Sequence, residues 1–284
     1  MRQGRNALTV TLPAKWLKER GLSAGASVTI KEQNEGLSVA AGLVTAKKEI
    51  TLDLRDAERS MIWHAVQGKY IEGFDRITII HNVSTLSAEM GSAFLGMIIE
   101  EHTSQRLVLK SIVAVPEDSF DILLRRAGHI LLEQSRLLEQ YAFGKASLEQ
   151  LKEEERLLDY NLLYCLRYLN KYESKESTYR HFLLCSSIES AGDQILLIAK
   201  NLEKGTRLPA GIASCIENYL KSLFSNDLKK AYSVVRSFRD SLDKKRFTDG
   251  LAFSLAETLY NYMGYLVEYE DKQDSQESEN LEKR

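Results

Sequence analysis

Proline is almost absent from this chain of 284 residues: Pro13, Pro116 and Pro209 are all of it. Each stands where a helical pattern begins, the position that a fixed φ and a missing N–H favour. Together they cut the chain into four pieces. Cysteine is scarce too. Cys165, Cys185 and Cys215 show no C-x-x-C spacing and sit among apolar helical residues, so they are expected to be reduced core thiols. The five histidines are scattered and give no zinc pattern. No uninterrupted apolar run comes near the roughly 18 residues a membrane helix needs. The start, Met1-Arg2-Gln3-Gly4-Arg5-Asn6, has no signal-peptide core. A soluble cytoplasmic chain without membrane insertion is expected. Within residues 45–115 no Gly-rich phosphate loop, nucleophile–base arrangement or dinucleotide fingerprint is found.

A large charge of one sign is missing as well. The net charge is −2, too little for a protein that coats nucleic acid. The balance is uneven, because residues 1–50 carry eight basic and four acidic side chains and the remainder sums to −6. A solvated surface and a DNA contact both fit so modest a basic end.

What is present divides by periodicity. Asn6–Leu12 alternates as a strand, Pro13–Gly21 reads as a short amphipathic helix closed by glycine, and Ser27–Glu32 and Leu37–Ala41 read as strands about a turn at Asn34–Gly36. Residues 45–115 read as a small α/β unit. Its strands are Lys48–Leu54, Arg76–Ile80 and Arg106–Ala114, and its helices are Asp56–Tyr70 and Leu86–Ile99. In the first of these helices Ala57, Met61, Ile62, Ala65 and Val66 are predicted inward. This unit reads as a spacer or sensor without chemistry. From Glu117 the periodicity is helical, over roughly 117–142, 146–171, 176–204, 209–224, 226–245 and 247–270. Short breaks between these segments suit antiparallel neighbours. Tyrosines recur mostly every fourth residue, as half-buried packing does. The polar tail 271–284 is expected to be disordered.

Two acidic pairs stand out. Glu155 and Asp159 are one helical turn apart, as are Glu189 and Asp193, and 34 residues separate the pairs. Both lie on or beside apolar stripes, Leu151, Leu158, Leu162, Cys165 and Leu169 in one helix and Cys185, Ile188, Gly192, Ile195, Leu196 and Ala199 in the other. Like charges on such a face are costly unless something positive answers them. If the two helices pack antiparallel, four carboxylates converge on a hard-oxygen site suited to Mg²⁺, Mn²⁺ or iron. Ion pairs with Arg125, Arg126, Arg156, Arg167 or Arg180 would answer the charges equally well.

Glu189-Ser-Ala-Gly-Asp193 followed by Ile-Leu-Leu-Ile-Ala resembles the signature of the PhoU phosphate-uptake regulators, and Glu155-x-x-x-Asp159 resembles that family's partner motif one helix earlier. The resemblance covers about 117–270. It implies two three-helix repeats and a bound divalent or trivalent metal, iron, manganese, magnesium or zinc, at Glu155, Asp159, Glu189 and Asp193. The N-terminal strand–helix–strand–turn–strand order resembles the AbrB/SpoVT swapped-hairpin domain, through Leu8-Thr-Val-Thr-Leu-Pro13, Lys15-Trp16, Gly21-Leu22, Gly25 and Val28. That implies a homodimer and DNA contacts through Arg2, Arg5, Lys15 and Lys18. Two departures stand beside it: Ala26 follows Gly25 where the family has an acid, and only Met1 and Arg2 precede the Gln3-Gly4 turn. Most of the family's first strand is therefore missing, so a start upstream of Met1 or weak dimerisation is expected. Tyr70-x-x-Gly73-Phe74-Asp75 and Leu95-Gly96-Met-Ile-Ile-Glu100 resemble the middle region of archaeal regulators with this order of parts.

The expected fold class is α+β. A hairpin domain (1–44) and a small α/β domain (45–115) precede an all-α six-helix domain (116–270). The internal repeat, shifted by 72 residues, sets Asp227, Ala231, Asn261 and Tyr265 opposite the four acids. Metal is therefore expected in the first repeat only. The resulting expectation is a cytoplasmic regulator of phosphate uptake, with a phosphate transporter or a sensor kinase as implied partners. Two alternatives are a DNA-binding repressor whose helices only dimerise and a di-metal carboxylate enzyme. The enzyme lacks its Glu-x-x-His motif, since Arg126 and Thr178 stand three residues before His129 and His181.

Overall fold

The computed structural model describes residues 10–19, 21–26, 28–33, 36–41, 47–83, 86, 90–91, 93–113, 120–172, 175–202, 208–243 and 250–262. The chain is α+β and mostly helical, and it divides into two compact units. The first holds α1 (Ala14–Glu19), β1 (Val28–Gln33) and β2 (Gly36–Ala41). Helix α1 ends as its glycine dictates: Gly21 has φ +62°, and Leu22 N–H donates to the Leu17 carbonyl at 2.9 Å. β1 and β2 pair antiparallel from Val28 with Ala41 to Gln33 with Gly36, so Gly36 opens the second strand instead of closing the turn. The strand expected over Asn6–Leu12 does not form at the residues described there. Val10 to Leu12 are not in a strand, and Val10 is 72% exposed. Among the described residues, the sheet of this unit has two strands. Residues 1–9, with Arg2 and Arg5, and the tail 271–284 lie outside the described residues.

The second unit begins with a mixed sheet of order β3-β4-β6-β5. β3 (Glu49–Asp53) and β4 (Arg76–Ile80) are parallel and joined by α2 (Arg59–Ile71). β5 (Met97–His102) and β6 (Arg106–Ser111) complete the sheet as antiparallel strands. Ile62, Val66 and Tyr70 of α2 cover Ile77, Ile79, Leu107 and Leu109 in one buried cluster. Met61, expected inward, is 60% exposed, because the buried stripe of α2 runs through 62, 66 and 70. The helix expected over Leu86–Ile99 stops early. Gly96 turns at φ +78°, Met97 N–H donates to the Phe94 carbonyl, and Met97-Ile98-Ile99 begin β5. A short apolar run fits a strand or a helix end, and the free edge of β6 decides it.

The remaining helices are α3 (Phe120–Ala142), α4 (Leu148–Tyr172), α5 (Lys175–Asn201), α6 (Ile212–Phe224), α7 (Leu228–Asp240) and α8 over 250–262. α3, α4 and α5 pack on one another, α6 packs on α3, and α7 packs on α6. Their apolar faces form one core, including Leu123, Ala127, Leu131, Leu158, Ile188 and Ile195. Residues 178–201 of α5 are long and apolar enough to cross a bilayer by composition, yet 61% of that window is buried inside the fold. That burial is what a core helix of a bundle shows.

The α/β part and the bundle share a clasp. Arg167 of α4 donates from Nη1 to the Tyr70 and Phe74 carbonyls at 2.8 Å each, and its guanidinium lies 4.9 Å from the Tyr70 ring centroid. Arg167 and Lys171 both answer Asp75, and all three side chains are at most 13% exposed.

Candidate metal centre

Helices α4 and α5 run antiparallel along a seam that can be followed residue by residue. Cys165 meets Cys185, Leu158 meets Gly192, and the acidic pairs flank that second contact. Gly192 makes the approach close. A Cβ there would stand 2.5 Å from Leu158 Cδ2 and 3.2 Å from Gln134 Oε1, so no larger residue fits without displacement. Leu158 and Gln134 are both buried. The glycine therefore sets the depth at which the two pairs of carboxylates face each other.

The four expected ligands do share one electrostatic neighbourhood. Glu155 and Asp159 are half-buried, while Glu189 and Asp193 are exposed at the residue level. Burial raises the Glu155 carboxyl, and the Asp193 charge raises it further. Asp159 is pushed up to about 7, first by burial, then by the charges of Glu155, Asp193 and Glu189. Glu189 is exposed along much of its length, but its carboxyl is shielded enough that burial raises it, with Asp193 and Glu155 adding to the effect.

The arginines expected as alternative partners of these charges are engaged elsewhere. Arg167 belongs to the Asp75 clasp, and Arg125 donates to the Phe224 carbonyl at 2.9 Å. Arg180 bonds Asn226 Oδ1, and Arg156 pairs with Glu153 at 3.4 Å. Arg126 lines a groove between α3 and α4 with His129, Glu133 and Glu154. Among the described residues, none of the four acids forms an ion pair with a basic side chain. Only Lys200 and Arg156 act on Glu155, through their charge.

Gln134 of α3 was not legible as part of this region. Its Nε2 donates to the Gly192 carbonyl at 3.2 Å, and its buried Oε1 has no partner among the described residues. The donor set is thus four carboxylates with an orphan amide oxygen at the level of Gly192. Oxygen donors of this kind fit Mg²⁺, Mn²⁺ or iron better than zinc, which favours nitrogen and sulfur. The thiols do not change this. The contact with Cys165 and then burial hold the Cys185 thiol well above its ordinary range, and burial pushes Cys215 up to about 12. As placed, no three histidine, cysteine or acidic side chains among the described residues stand close enough to grip an ion.

The corresponding positions of the second half are built differently. The Asp227 carboxylate caps α7 by accepting from Lys230 N–H at 3.0 Å. Ala231 is fully buried and Asn261 is exposed, while Tyr265 lies outside the described residues. Of the candidate DNA contacts, Lys15 and Lys18 are exposed on α1. No family model, curated protein or solved structure matches the chain.

Proposed function

We propose that this protein is a cytoplasmic, PhoU-like regulator of phosphate uptake. In this reading α3–α5 form a first three-helix repeat, α6–α8 form a second, and Glu155, Asp159, Glu189 and Asp193 hold a metal ion in the first. One observation carries the reading: on two antiparallel helices, burial and the charges of neighbouring carboxylates, Asp193 among them, raise Glu155, Asp159 and Glu189, with no basic side chain paired to them. Such a cluster is costly in isolation, and a hard cation removes the cost. Mutual repulsion also accounts for carboxylates that stand apart until a cation draws them in. A bound metal would offer open positions to phosphate oxygens. The chain's own part is to fix the two helices at the depth Gly192 allows and to place the Gln134 amide beside them.

The test is elemental analysis of protein purified without chelator, for the natural chain and for Glu189→Ala with Asp193→Ala. Stoichiometric metal is expected in the first and none in the second, while Asn261→Ala keeps its metal. Metal retained in the double variant sinks the assignment. Equilibrium dialysis with labelled phosphate follows, and phosphate binding that ignores metal loading removes phosphate from the reading.

The N-terminal unit contributes dimerisation and DNA contact in this proposal. The exposed Lys15 and Lys18 on α1 and the +4 balance of residues 1–50 support it. Binding should fall steeply with salt, and Lys18→Ala should lower the slope by roughly one unit without changing sequence preference. A protein that binds an operator identically with and without metal or phosphate is the repressor of the alternative reading. A phosphate transporter or sensor kinase is the partner class this function requires.

A further inference from the structure

The connection of β3 through α2 to β4 fixes which end of the sheet faces the start of α2. Both strands point the same way, so α2 starts where β3 ends, and the chain beyond β4 leaves at the same side. In sheets connected this way, ligands bind outside the carboxyl ends of the strands. A cavity of about 470 Å³ opens there, lined by Arg59, Ser60, Trp63, His64, Leu86 and Met90. That volume lies within the range of small-molecule sites.

Its lining has two characters. Leu86 and Met90, just after β4, are 2% and 1% exposed and give an apolar floor. Trp63 is half-buried and held by Phe94, with ring centroids 5.5 Å apart. Arg59, Ser60 and His64 are exposed on the first two turns of α2. The residue before that helix, Glu58, makes no side-chain bond to the first turn, so the N–H groups there lack the usual side-chain acceptor. Arg59 and the start of a 13-residue helix together favour an anion. A separate observation falls at the same side of the sheet. His81 follows β4, is 1% exposed, and accepts the Val83 N–H at Nδ1, which leaves Nε2 as the protonated nitrogen. That buried Nε2 has no partner among the described residues.

We propose that this cavity binds an aromatic anion of the nucleoside monophosphate class, with the base on Trp63 above Leu86 and Met90 and the phosphate at Arg59 and the first turn of α2. Trp63 supplies a sequence-tolerant stacking face, so the site takes its ligand by shape and charge more than by base identity. This site is separate from the carboxylate cluster, and its test does not depend on metal.

The chain has two tryptophans, so Trp16→Phe leaves Trp63 as the only one. The full-length Trp16→Phe protein is titrated with AMP, GMP, CMP, UMP, adenosine and ribose 5-phosphate while Trp63 emission is followed. Calorimetry on the natural chain with the same compounds covers a Trp16→Phe protein that folds poorly. Saturable binding of the monophosphates is expected, with adenosine and ribose 5-phosphate each weaker by about tenfold or more. Arg59→Ala should weaken AMP about tenfold and leave adenosine unchanged. No saturable binding of any monophosphate at millimolar concentration overturns the proposal. So does ribose 5-phosphate binding as tightly as AMP, or an Arg59→Ala protein that binds AMP as the natural one does.

Discussion

At the scale of single residues, Asp159 ties the cluster to a measurable pH dependence. Its carboxyl is raised from 3.8 to about 7, so the folded chain holds a proton there that the unfolded chain has already released. The contribution is intact below pH 3.8 and is lost as pH climbs through about 7. Glu155 and Glu189, also raised, act in the same sense. Asp53, Glu100 and Glu217 are held low by Arg55, Lys110 and Lys221 and act oppositely, but they are surface pairs of small worth. In chelator-treated protein, thermal stability should therefore fall as pH rises across that window, and Asp159→Asn should flatten the fall. Solvent screening of a half-buried group limits the gain at pH 8 to about 1 kcal/mol, or about 2–4 °C in melting temperature. Metal should reverse the trend in the natural chain, because it binds the deprotonated form. A metal-free Asp159→Asn protein that loses stability from pH 5 to pH 8 as steeply as the metal-free natural chain contradicts this account, a comparison in which the opposite contribution of the buried His81 cancels.

At the scale of elements, the seam between α4 and α5 turns on one contact. A methyl group at 192 meets Leu158 Cδ2 at 2.5 Å, and Leu158 is 1% exposed, so its side chain has little room to yield. Overpacking of this kind costs about 1–3 kcal/mol, while alanine is about 1 kcal/mol better than glycine inside a helix. Gly192→Ala should therefore destabilise the chain by about 1 kcal/mol in urea unfolding. Its larger effect should be on metal, because the two helices are pushed apart where the acidic pairs face each other. Leu158→Ala placed with Gly192→Ala should restore part of the metal binding that the single change removes, and its failure to do so would show that the contact does not set the site.

At the scale of the whole second unit, the Asp75 clasp joins the sheet to the bundle. Asp75 faces Arg167 and Lys171, two cations whose side chains are each 5% exposed. Burial lowers the Lys171 ammonium despite its bond to Asp75, which is the signature of a charge held from water. Taking away the shared carboxylate leaves both cations uncompensated, so Asp75→Asn should cost about 3–5 kcal/mol. Lys171→Met, which leaves Asp75 with Arg167, should cost less than half as much. If the clasp couples the two parts, Asp75→Asn should also split one denaturant transition into two. A single unshifted transition would remove the clasp from the account of stability.

Periodicity along the chain was enough to place helices α3 to α7, the strand at 76–80, the larger part of the strand expected over 106–114, and the apolar stripes of α4 and α5, because each is a local pattern repeated over many residues. The acidic pairs were legible for the same reason, one turn apart on each helix. The sequence did not place β5, whose short apolar run takes its form from the edge of β6, nor the outward turn of Met61. It gave no sign of Gln134 beside Gly192, of Asp75 between two buried cations, or of the cavity behind Trp63. Gln134 is 58 residues from Gly192 and Asp75 is 96 from Lys171, and no local pattern records such a meeting. Spacing alone determined that four carboxylates lie on two apolar faces. Only the packed helices decided that those faces oppose each other across a glycine and that the nearby arginines spend their bonds elsewhere, since burial and charge pairing are properties of surfaces brought together in space.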